Sequence, residues 1–287
     1  MRLLGSHVSI AGGLHKAFVI GGKIGCTAIQ IFTKNASRWE AIPLDDEKIS
    51  QFQDAWNTSG IQTVIAHDSY LINLGSPQDE LWQKSQYALF AEALRCEQLG
   101  IPYLVIHPGS HVGSGQAQGL RRVARALNRI HQQTPGHSTQ ILLETTAGQG
   151  TNLGYQFEHL TAILDLTQEP ERLGICFDTC HVFAAGYELR TKEGFQRTFD
   201  AFDRLLGIKL LKVIHVNDSV KPCGSRVDRH QGIGEGEIGL DGFRWLMTDS
   251  RFETIPMILE TPKGRDPVVS DQHNLRILKD LCKTIER

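Results

Sequence analysis

The chain has 287 residues, of which 40% are hydrophobic and 22% are charged, with 30 basic and 32 acidic side chains. This near balance argues against a protein that holds a polyanion by bulk charge, so any affinity for nucleic acid must come from a local field. No apolar run approaches the roughly 18 residues of a membrane span, and the first residues lack the apolar stretch of a signal peptide. We therefore expect no membrane partner. Because the six cysteines include no CxxC pair, we also expect a reduced, cytoplasmic protein.

Short apolar runs alternate with amphipathic segments along the chain, as strands and helices do in a protein with a parallel sheet. The runs predict strands at residues 3–9, 27–32, 63–67, 103–107, 141–144, 173–178, 210–215 and 255–260. The segments between them predict helices over residues 12–22, 45–59, 78–99, 117–133, 155–167, 191–206, 239–247 and 267–286. Acidic residues open the helix at 45–59, and Gly100 ends the helix at 78–99, as is common at helix boundaries.

The units of one strand and one helix are each roughly 36 residues long, and eight of them fit one domain. Their strands are almost continuously apolar, so both faces of the sheet should be covered. This series is typical of a single α/β domain, a (β/α)8 TIM barrel spanning residues 1–287. A doubly wound open sheet is the structural alternative.

Residues that can bind a metal terminate six of the predicted strands. Strands three to eight end on His67, His107, Glu144, Asp178, His215 and Glu260. The loops after strands six and seven add His181, Asp228 and His230. In a barrel the carboxyl ends of all strands lie on one face, where active sites form. The sequence therefore gathers imidazoles and carboxylates around one rim.

Each of these residues alone has an ordinary explanation as a loop, core or capping residue, but the whole set does not. Buried carboxylates and imidazoles in this number would leave polar groups unpaired and like charges in contact. Divalent cations remove that cost. The set exceeds the three or four protein ligands of one zinc site, so we expect two or three metal ions. The share of imidazoles favours zinc, manganese or iron over magnesium.

Ten segments of the chain resemble the endonuclease IV family of apurinic/apyrimidinic endonucleases. They are GSHVSIAGGL, FTKN, HDSYLINLG, RCEQLG, HPGSH, LETTAGQGTNLG, DTCHVFAAGYELRT, HVNDS, GSRVDRHQGIGEG and LETP. The segments run almost from end to end of the chain and include every rim residue of the set. The resemblance implies a TIM barrel with a trinuclear zinc site, in a DNA repair enzyme that incises DNA on the 5′ side of abasic sites.

The resemblance also implies how the ligands divide among three zinc ions, for which manganese is the expected substitute. One ion would take His67, His107 and Glu144, a second would take Glu144, Asp178, His215 and Glu260, and a third would take His181, Asp228 and His230. A metal-bound hydroxide would be the nucleophile, held near the bridging carboxylate of Glu144. The expected products are a 3′-hydroxyl and a 5′-deoxyribose phosphate, and removal of 3′ blocking groups is an expected second activity.

The expected partner is double-stranded DNA with abasic sites or blocked 3′ ends, bound by a monomer. By the resemblance, Tyr70 and Leu71 fill the space that extruded nucleotides leave. The family's intercalating arginine usually occupies the position of Ser37, so Arg38 beside it is the candidate replacement. The candidates for phosphate contacts are Lys34 and Arg229.

Two other functions stay open at this point. A metal-dependent sugar isomerase or epimerase can have the same barrel, but it needs only one or two metal ions and a polar sugar pocket. A non-catalytic DNA-binding barrel would need no metal site open to water. We expect His7, His111 and Asp218 to support the site from outside the ligand set. The histidines expected to be solvated are His15, His131, His137, His159 and His273.

Overall fold

Parallel strands close into a barrel in the computed structural model, which describes residues 2–283. The strands are β1 (Leu4–His7), β2 (Ala28–Phe32), β3 (Thr63–His67), β4 (Tyr103–Ile106), β5 (Gln140–Glu144), β6 (Leu173–Asp178), β7 (Leu211–His215), β8 (Asp218–Ser219), β9 (His230–Gln231) and β10 (Met257–Leu259). The barrel runs in the order β1-β10-β7-β6-β5-β4-β3-β2, and β8 and β9 form a separate antiparallel pair. This closure confirms the TIM barrel and excludes the open sheet.

Helices cover the outside of the barrel. They are α1 (Lys16–Ile24), α2 (Asp46–Ser59), α3 (Asp79–Leu99), α4 (Gln116–Gln133), α5 (Phe157–Asp165), α6 (Thr179–Ala185), α7 (Lys192–Leu205), α8 (Gly239–Thr248) and α9 (Pro267–Lys283). The last residues of the predicted C-terminal helix, 284–286, lie outside the described part of the chain. Within residues 2–283, none of the helices has both the length and the apolar character to cross a membrane.

Two helices differ from the prediction. Helix α1 begins at Lys16 instead of residue 12, because Gly12 and Gly13 have φ angles of 85° and 126°, outside the helical region. The short helix α6 is not predicted from the sequence, and it contains His181, which we expected in a loop. The carboxylate of Asp178 caps α6 by accepting a hydrogen bond from the backbone N–H of His181 at 2.7 Å.

Two stacked layers of side chains lie inside the barrel. Residues i and i+2 of a strand point to the same side of the sheet. The lower layer is apolar and consists of Ala28, Ile65, Val105, Leu142, Cys176, Val213 and Ile258. Two residues farther along the same strands lie Gln30, His67, His107, Glu144, Asp178, His215 and Glu260. We call this second set, together with His7 from β1, the upper polar layer.

Strand β1 reaches this layer through a close approach to its neighbour. Gly5 pairs with Ala28 of β2, and a Cβ at Gly5 would collide with the carbonyl oxygen of Ala28. Two residues later, His7 is in register with Gln30. The glycine therefore lets β1 lie close enough to β2 for these two polar side chains to meet.

Two of the histidines expected to be solvated are instead buried. His131 on α4 is 3% exposed, and neither ring nitrogen has a hydrogen-bond partner among the described residues. His159 on α5 is also buried, where its Nδ1 accepts a hydrogen bond from the backbone N–H of Gly154 at 3.2 Å. Both side chains lie on the inward faces of amphipathic helices, so the prediction for them is wrong.

Candidate metal centre

Glu144 lies at the centre of the upper polar layer, and its side chain is fully buried. One carboxylate oxygen, Oε2, lies 3.1 Å from His67 Nε2 and 3.2 Å from His107 Nε2. The other oxygen, Oε1, lies 3.1 Å from Nδ1 of His215 and 3.1 Å from Nδ1 of His181. The two oxygens thus face different pairs of imidazoles, which suits a carboxylate that is shared between two sites.

A second group of donors adjoins the first through Glu144. His215 Nδ1 lies 3.3 Å from Glu260 Oε2 and 3.9 Å from Asp178 Oδ2. Each of four residues offers one ligand atom, and these atoms all lie within 4.8 Å of one another: Glu144, Asp178, His215 and Glu260. Carboxylate oxygens and an imidazole nitrogen at this spacing can surround one divalent cation.

The third group lies at the outer side of the layer and includes residues from the loop after β7. His181 Nε2 is 3.2 Å from Asp228 Oδ2, and His230 Nε2 is 3.5 Å from Asp228 Oδ1. His230 Nε2 also lies 3.6 Å from Asp178 Oδ2. The structure thus brings all nine residues predicted as ligands into one continuous cluster.

The carboxylates of this cluster are negatively charged and need positive charge nearby. Burial alone would raise the pKa of Glu144, but the imidazoles of His215 and His107 hold that pKa well below its usual range. Burial would likewise raise the pKa of Asp228, yet its hydrogen bond with His181 lowers it to about 2. These carboxylates are therefore ionised, and either protons on the imidazoles or bound cations must balance them.

Hydrogen bonds within the cluster do not satisfy all of its donors and acceptors. His230 Nε2 is buried, and it has no hydrogen-bond partner within residues 2–283. Its other nitrogen, Nδ1, lies 3.1 Å from the carbonyl oxygen of Glu260, which leaves Nε2 as the basic nitrogen of the neutral ring. An unpartnered basic nitrogen that faces ionised carboxylates fits a metal ligand better than a hydrogen-bonded core residue.

Two amides that we did not identify from the sequence orient the cluster. Gln30 Oε1 lies 2.7 Å from His215 Nε2, and Gln30 Nε2 donates to Glu260 Oε1 at 2.6 Å. Asn217 donates from Nδ2 to Asp178 Oδ2 at 2.7 Å and accepts through Oδ1 from the backbone N–H of Glu260 at 2.8 Å. Gln30 carried a usable signal, since it is a polar residue in the middle of an otherwise apolar strand.

Two residues expected to support the site hold its loops. The carboxylate of Asp218 accepts hydrogen bonds from three backbone N–H groups of the loop at 234–238, at 2.9 to 3.0 Å. The same residue pairs with Gln231, so it fixes the segment that carries His230. His111 Nδ1 accepts from the backbone N–H of Gly115 at 3.2 Å, in the loop before α4.

A cavity of about 350 Å³ opens in front of the cluster, and His67, His107, His181, His230 and Glu260 line it. Tyr70 forms part of its wall and also lines a neighbouring cavity of about 240 Å³. The Tyr70 side chain is 75% exposed, and its ring meets Phe32 edge-on with centroids 5.3 Å apart. A prominent aromatic residue thus stands beside the donors and separates two concave surfaces.

The other predicted DNA contacts differ in accessibility. Leu71 is partly exposed, and Arg38 is exposed. Arg229 is exposed too, and its guanidinium donates to the carbonyl oxygen of Asp228 at 2.6 Å. Lys34 is buried, and its ammonium lies 3.3 Å from the carboxylate of Glu92 on α3, so its contact with phosphate stays a prediction.

Comparison with known proteins identifies the family of this chain. Residues 22–281 match a family model described as a xylose isomerase-like TIM barrel. A probable endonuclease 4 from Chloroflexus aurantiacus is 51% identical over 286 residues, which cover 100% of both chains. A probable endonuclease 4 from Geobacter sulfurreducens is 48% identical over 284 residues, which cover 99% of this chain and 95% of the relative.

Solved structures agree with these relatives. Endonuclease IV from Thermus thermophilus is 35% identical and superimposes with a TM-score of 0.87 over 99% of each chain. A D-tagatose 3-epimerase-like protein superimposes with a TM-score of 0.74 over 99% of this chain and 98% of its own, but at 18% identity it shares only the fold. Because its relatives match from end to end, and because the donor cluster lies at the active face of the barrel, the chain belongs to the endonuclease IV family of DNA-cleaving hydrolases.

Proposed function

We propose that this protein is a zinc-dependent DNA repair enzyme that hydrolyses the phosphodiester on the 5′ side of abasic sites. The products would be a 3′-hydroxyl and a 5′-deoxyribose phosphate, and the same site would remove 3′ blocking groups. One observation carries the proposal: nine metal-binding side chains, one of which is the buried Glu144, form one cluster beneath an open cavity. The names of the full-length relatives give the substrate class, which is DNA.

Three zinc ions account for the cluster, and manganese is the expected substitute. His67, His107 and Glu144 would hold one ion, Glu144, Asp178, His215 and Glu260 would hold another, and His181, Asp228 and His230 would hold the last. Within each of the first two groupings, the ligand atoms lie within 4.8 Å of one another. In the third grouping, Asp228 contacts both His181 and His230. When bound, the ions would supply an activated water and neutralise the charge of the phosphate.

Backbone carbonyl groups prepare this site by fixing two of its rings. His67 Nδ1 lies 3.0 Å from the carbonyl oxygen of Asp68, and His181 Nδ1 lies 2.8 Å from that of Thr145. A neutral imidazole that donates from Nδ1 presents a basic Nε2, as a metal ligand must. Glu144 offers one oxygen to each of two neighbouring groups, so it can hold both in a fixed relation.

Recognition of the lesion would come from the rim. Tyr70 and Leu71 lie in the loop after β3, and Tyr70 borders the cavity that contains the donors. An exposed aromatic ring beside such a cavity can stack in a duplex where a base is missing, because less stacking is lost there. Arg38, which is exposed, would take the place of the family's intercalating arginine, and the exposed Arg229 would contact the DNA backbone. The enzyme would act as a cytoplasmic monomer.

A sugar epimerase is the main competing function, since proteins of that kind share the fold. Such an enzyme needs one or two metal ions, whereas this cluster has donors for three. Metal analysis separates the two functions: about three ions per chain favours the nuclease and about one favours the epimerase.

The decisive experiment is incubation of the purified, zinc-loaded protein with an end-labelled duplex that contains one abasic site. We expect a single cut on the 5′ side that leaves a 3′-hydroxyl, and an intact duplex of the same sequence should stay whole. A cut on the 3′ side by β-elimination, or no cut in the presence of zinc and of manganese, would refute the proposal.

A further inference from the structure

Arg95 on α3 is a buried cation that holds the loop after β2, residues 33–45. Its guanidinium donates from Nη2 to the carbonyl oxygen of Thr33 at 2.5 Å and from Nη1 to the carbonyl oxygen of Ile42 at 2.7 Å. Its Nε lies 3.3 Å from Thr33 Oγ1. Thr33 is the first residue of the loop and Ile42 lies near its end, so one side chain of α3 ties the two parts of the loop together.

Glu92, about one turn before Arg95 on the same helix, holds the same loop. Its Oε2 accepts a hydrogen bond from Thr33 Oγ1 at 2.5 Å, and its Oε1 lies 3.3 Å from the ammonium of Lys34. That ammonium donates in turn to the carbonyl oxygen of Arg38 at 2.6 Å. Contacts of this kind, with one charged partner, are stronger than hydrogen bonds between neutral groups. A continuous polar connection therefore runs from α3 to the backbone of Arg38.

The loop has little apolar packing of its own to fix its conformation. Most of residues 35–43 are exposed, and the side chain of Ile42 is 82% exposed. Trp39 is partly buried, and the ammonium of Lys84 on α3 lies 4.7 Å from its ring centroid. A segment with few buried apolar contacts opens readily unless polar contacts select one conformation. The hydrogen bonds from α3 supply such contacts.

We propose that Arg95 is a positioning residue for lesion recognition: it holds the loop after β2 in the conformation that brings Arg38 to abasic DNA. The inference rests on the proposed function, because it takes Arg38 to contact the duplex. The hydrogen bonds of Arg95 lead to Thr33 and Ile42, so its effect on DNA passes through the conformation of the loop. When only a fraction of the molecules has the competent conformation, the apparent affinity falls by that fraction.

Replacing Arg95 with Met tests this role, because it removes the hydrogen bonds while Glu92 keeps Lys34 as its partner. We expect kcat/KM on an abasic duplex to fall by about tenfold, as when the competent conformation drops to about a tenth of the molecules. The loss should appear as a higher KM, because saturating DNA selects the competent loop, and zinc content should stay at the wild-type value. Arg95→Lys, whose ammonium can still reach one carbonyl group, should lose less. A fall in kcat at unchanged KM would overturn the proposal.

A double-mutant cycle separates positioning from a general loss of stability. Arg38→Ala alone should lower kcat/KM, and adding Arg95→Met to it should cost little more, because both act through the same contact. The matched control is Arg172→Met, before β6 at the other end of the barrel. Arg172 likewise donates to two backbone carbonyl oxygens, those of His131 and Thr134. This control should lower the melting temperature and leave kcat/KM unchanged.

The outcomes of the cycle distinguish the two levels of the argument for Arg95. Losses that add in the double variant, or an Arg38→Ala variant with the wild-type kcat/KM, would overturn the inference and leave the proposed function standing. Wild-type protein that fails to cut the abasic duplex would instead overturn the proposed function. If Arg95→Met is unfolded at the assay temperature, the same cycle is run with Arg95→Lys.

A spectroscopic measurement follows the loop itself and does not depend on activity. In zinc-loaded protein labelled with fluorotryptophan, Trp39 reports the conformation of the loop, and the Trp39→Phe variant assigns its fluorine resonance. Arg95→Met should shift or broaden this resonance and leave that of Trp245, on α8, in place. A Trp39 resonance that is the same in Arg95→Met and in the wild type would show that Arg95 does not hold the loop, and the proposal would be overturned.

Discussion

At the scale of single residues, Glu144 contacts the imidazoles of two different candidate metal sites. Four imidazoles lie 3.1 to 3.2 Å from its two oxygens. We therefore expect Glu144→Ala to lose more than a single ligand contact. The predicted loss in kcat/KM is at least about a thousandfold, or roughly 4 kcal/mol of transition-state stabilisation. Single-turnover rates on an abasic duplex, together with metal analysis, measure this loss.

A matched control for this variant is Glu253→Ala, which removes an exposed carboxylate before β10, at the other end of the barrel. That variant should keep the wild-type rate and metal content. Near-normal turnover by Glu144→Ala would end the assignment of Glu144 as a shared ligand.

His131 predicts a dependence of stability on pH that is separate from the cluster. Burial, and then the nearby Arg172, lower the pKa of His131 from 6.5 to about 4. Between these values the unfolded chain binds the proton and the folded chain does not, so the free energy of unfolding falls as the pH drops from 6.5 toward 4. Below about 4 both states are protonated and this contribution stops changing.

The variant His131→Leu tests this dependence. Denaturant midpoints at pH 7.5 and at pH 4.5 should differ less in the variant than in the wild type, because the titrating group is gone. Effects of the cluster on stability are common to both proteins and cancel in the comparison. An equal loss of stability in both proteins between the two pH values would contradict the assignment.

The nine candidate ligands could be predicted from the sequence, because each lies at a strand end or in a segment that resembles the family. The residues that support them could not be predicted in this way. Gln30 is not itself a metal-ligand type, and its role depends on contacts with His215 and Glu260, 185 and 230 residues away in sequence. Lys34 looks like a surface cation in the sequence. Its burial depends on Glu92, which a different helix provides.

At the scale of elements, the loop after β3 lies against the loop after β2. Ser69 donates to the carbonyl oxygen of Ala36 at 2.5 Å, which ties the segment of Tyr70 to the segment of Arg38. In the second loop, Lys34 donates to the carbonyl oxygen of Arg38 at 2.6 Å. The residues assigned to lesion recognition thus lie on two loops that support each other.

Replacing Tyr70 and Leu71 together with Ala tests whether this loop reads the lesion. Zinc content should stay near three ions per chain, because neither side chain is a ligand. The preference for abasic over intact duplex should weaken by on the order of a few kcal/mol, the range for a stacking or wedge contact. Competition binding at one fixed salt concentration measures this preference.

The comparison for this double variant is a nicked duplex with a blocked 3′ end, which is already unstacked at the break and should suffer less. An equal loss on both substrates, or a loss of zinc, would show that the loop supports the site without reading the lesion.

Lys34 offers a second prediction at this scale. Its ammonium and the Glu92 carboxylate are both buried, so Lys34→Met would leave a buried charge without its partner. We expect a loss of stability of about 3–5 kcal/mol, as for one partner removed from a buried ion pair. Denaturant unfolding measures it, with Lys16→Met, an exposed lysine of α1, as the control. If the variant is as stable as the wild type but binds DNA more weakly, the result would support the predicted contact between Lys34 and phosphate.

The elements themselves were largely predictable, and the exceptions have physical causes. The barrel strands are apolar runs closed by polar residues, and most helices are amphipathic. Helix α6 has no such pattern, because nearly all of its residues are buried on every side. Its start depends on the Asp178 cap, and that residue is also part of the donor cluster.

At the scale of the whole molecule, the metal cluster should decide which cations restore activity. A site with five imidazoles among its donors favours zinc and manganese over magnesium, which prefers oxygen ligands. Protein stripped by a chelator should therefore lose activity and recover it with zinc or manganese. Cleavage rates after addition of each metal measure the recovery. Full recovery with magnesium alone would be the opposite result.

The pairing of β1 with β10 has a consequence for how the enzyme is made. His7 and Glu260 lie 253 residues apart in sequence, yet their side chains are 3.2 Å apart where these two strands meet. On the ribosome, a nascent chain whose β10 has not yet emerged lacks Glu260 and cannot close the barrel. Nuclease activity is therefore withheld until synthesis is nearly finished, and a chain truncated before β10 should be unable to cut DNA.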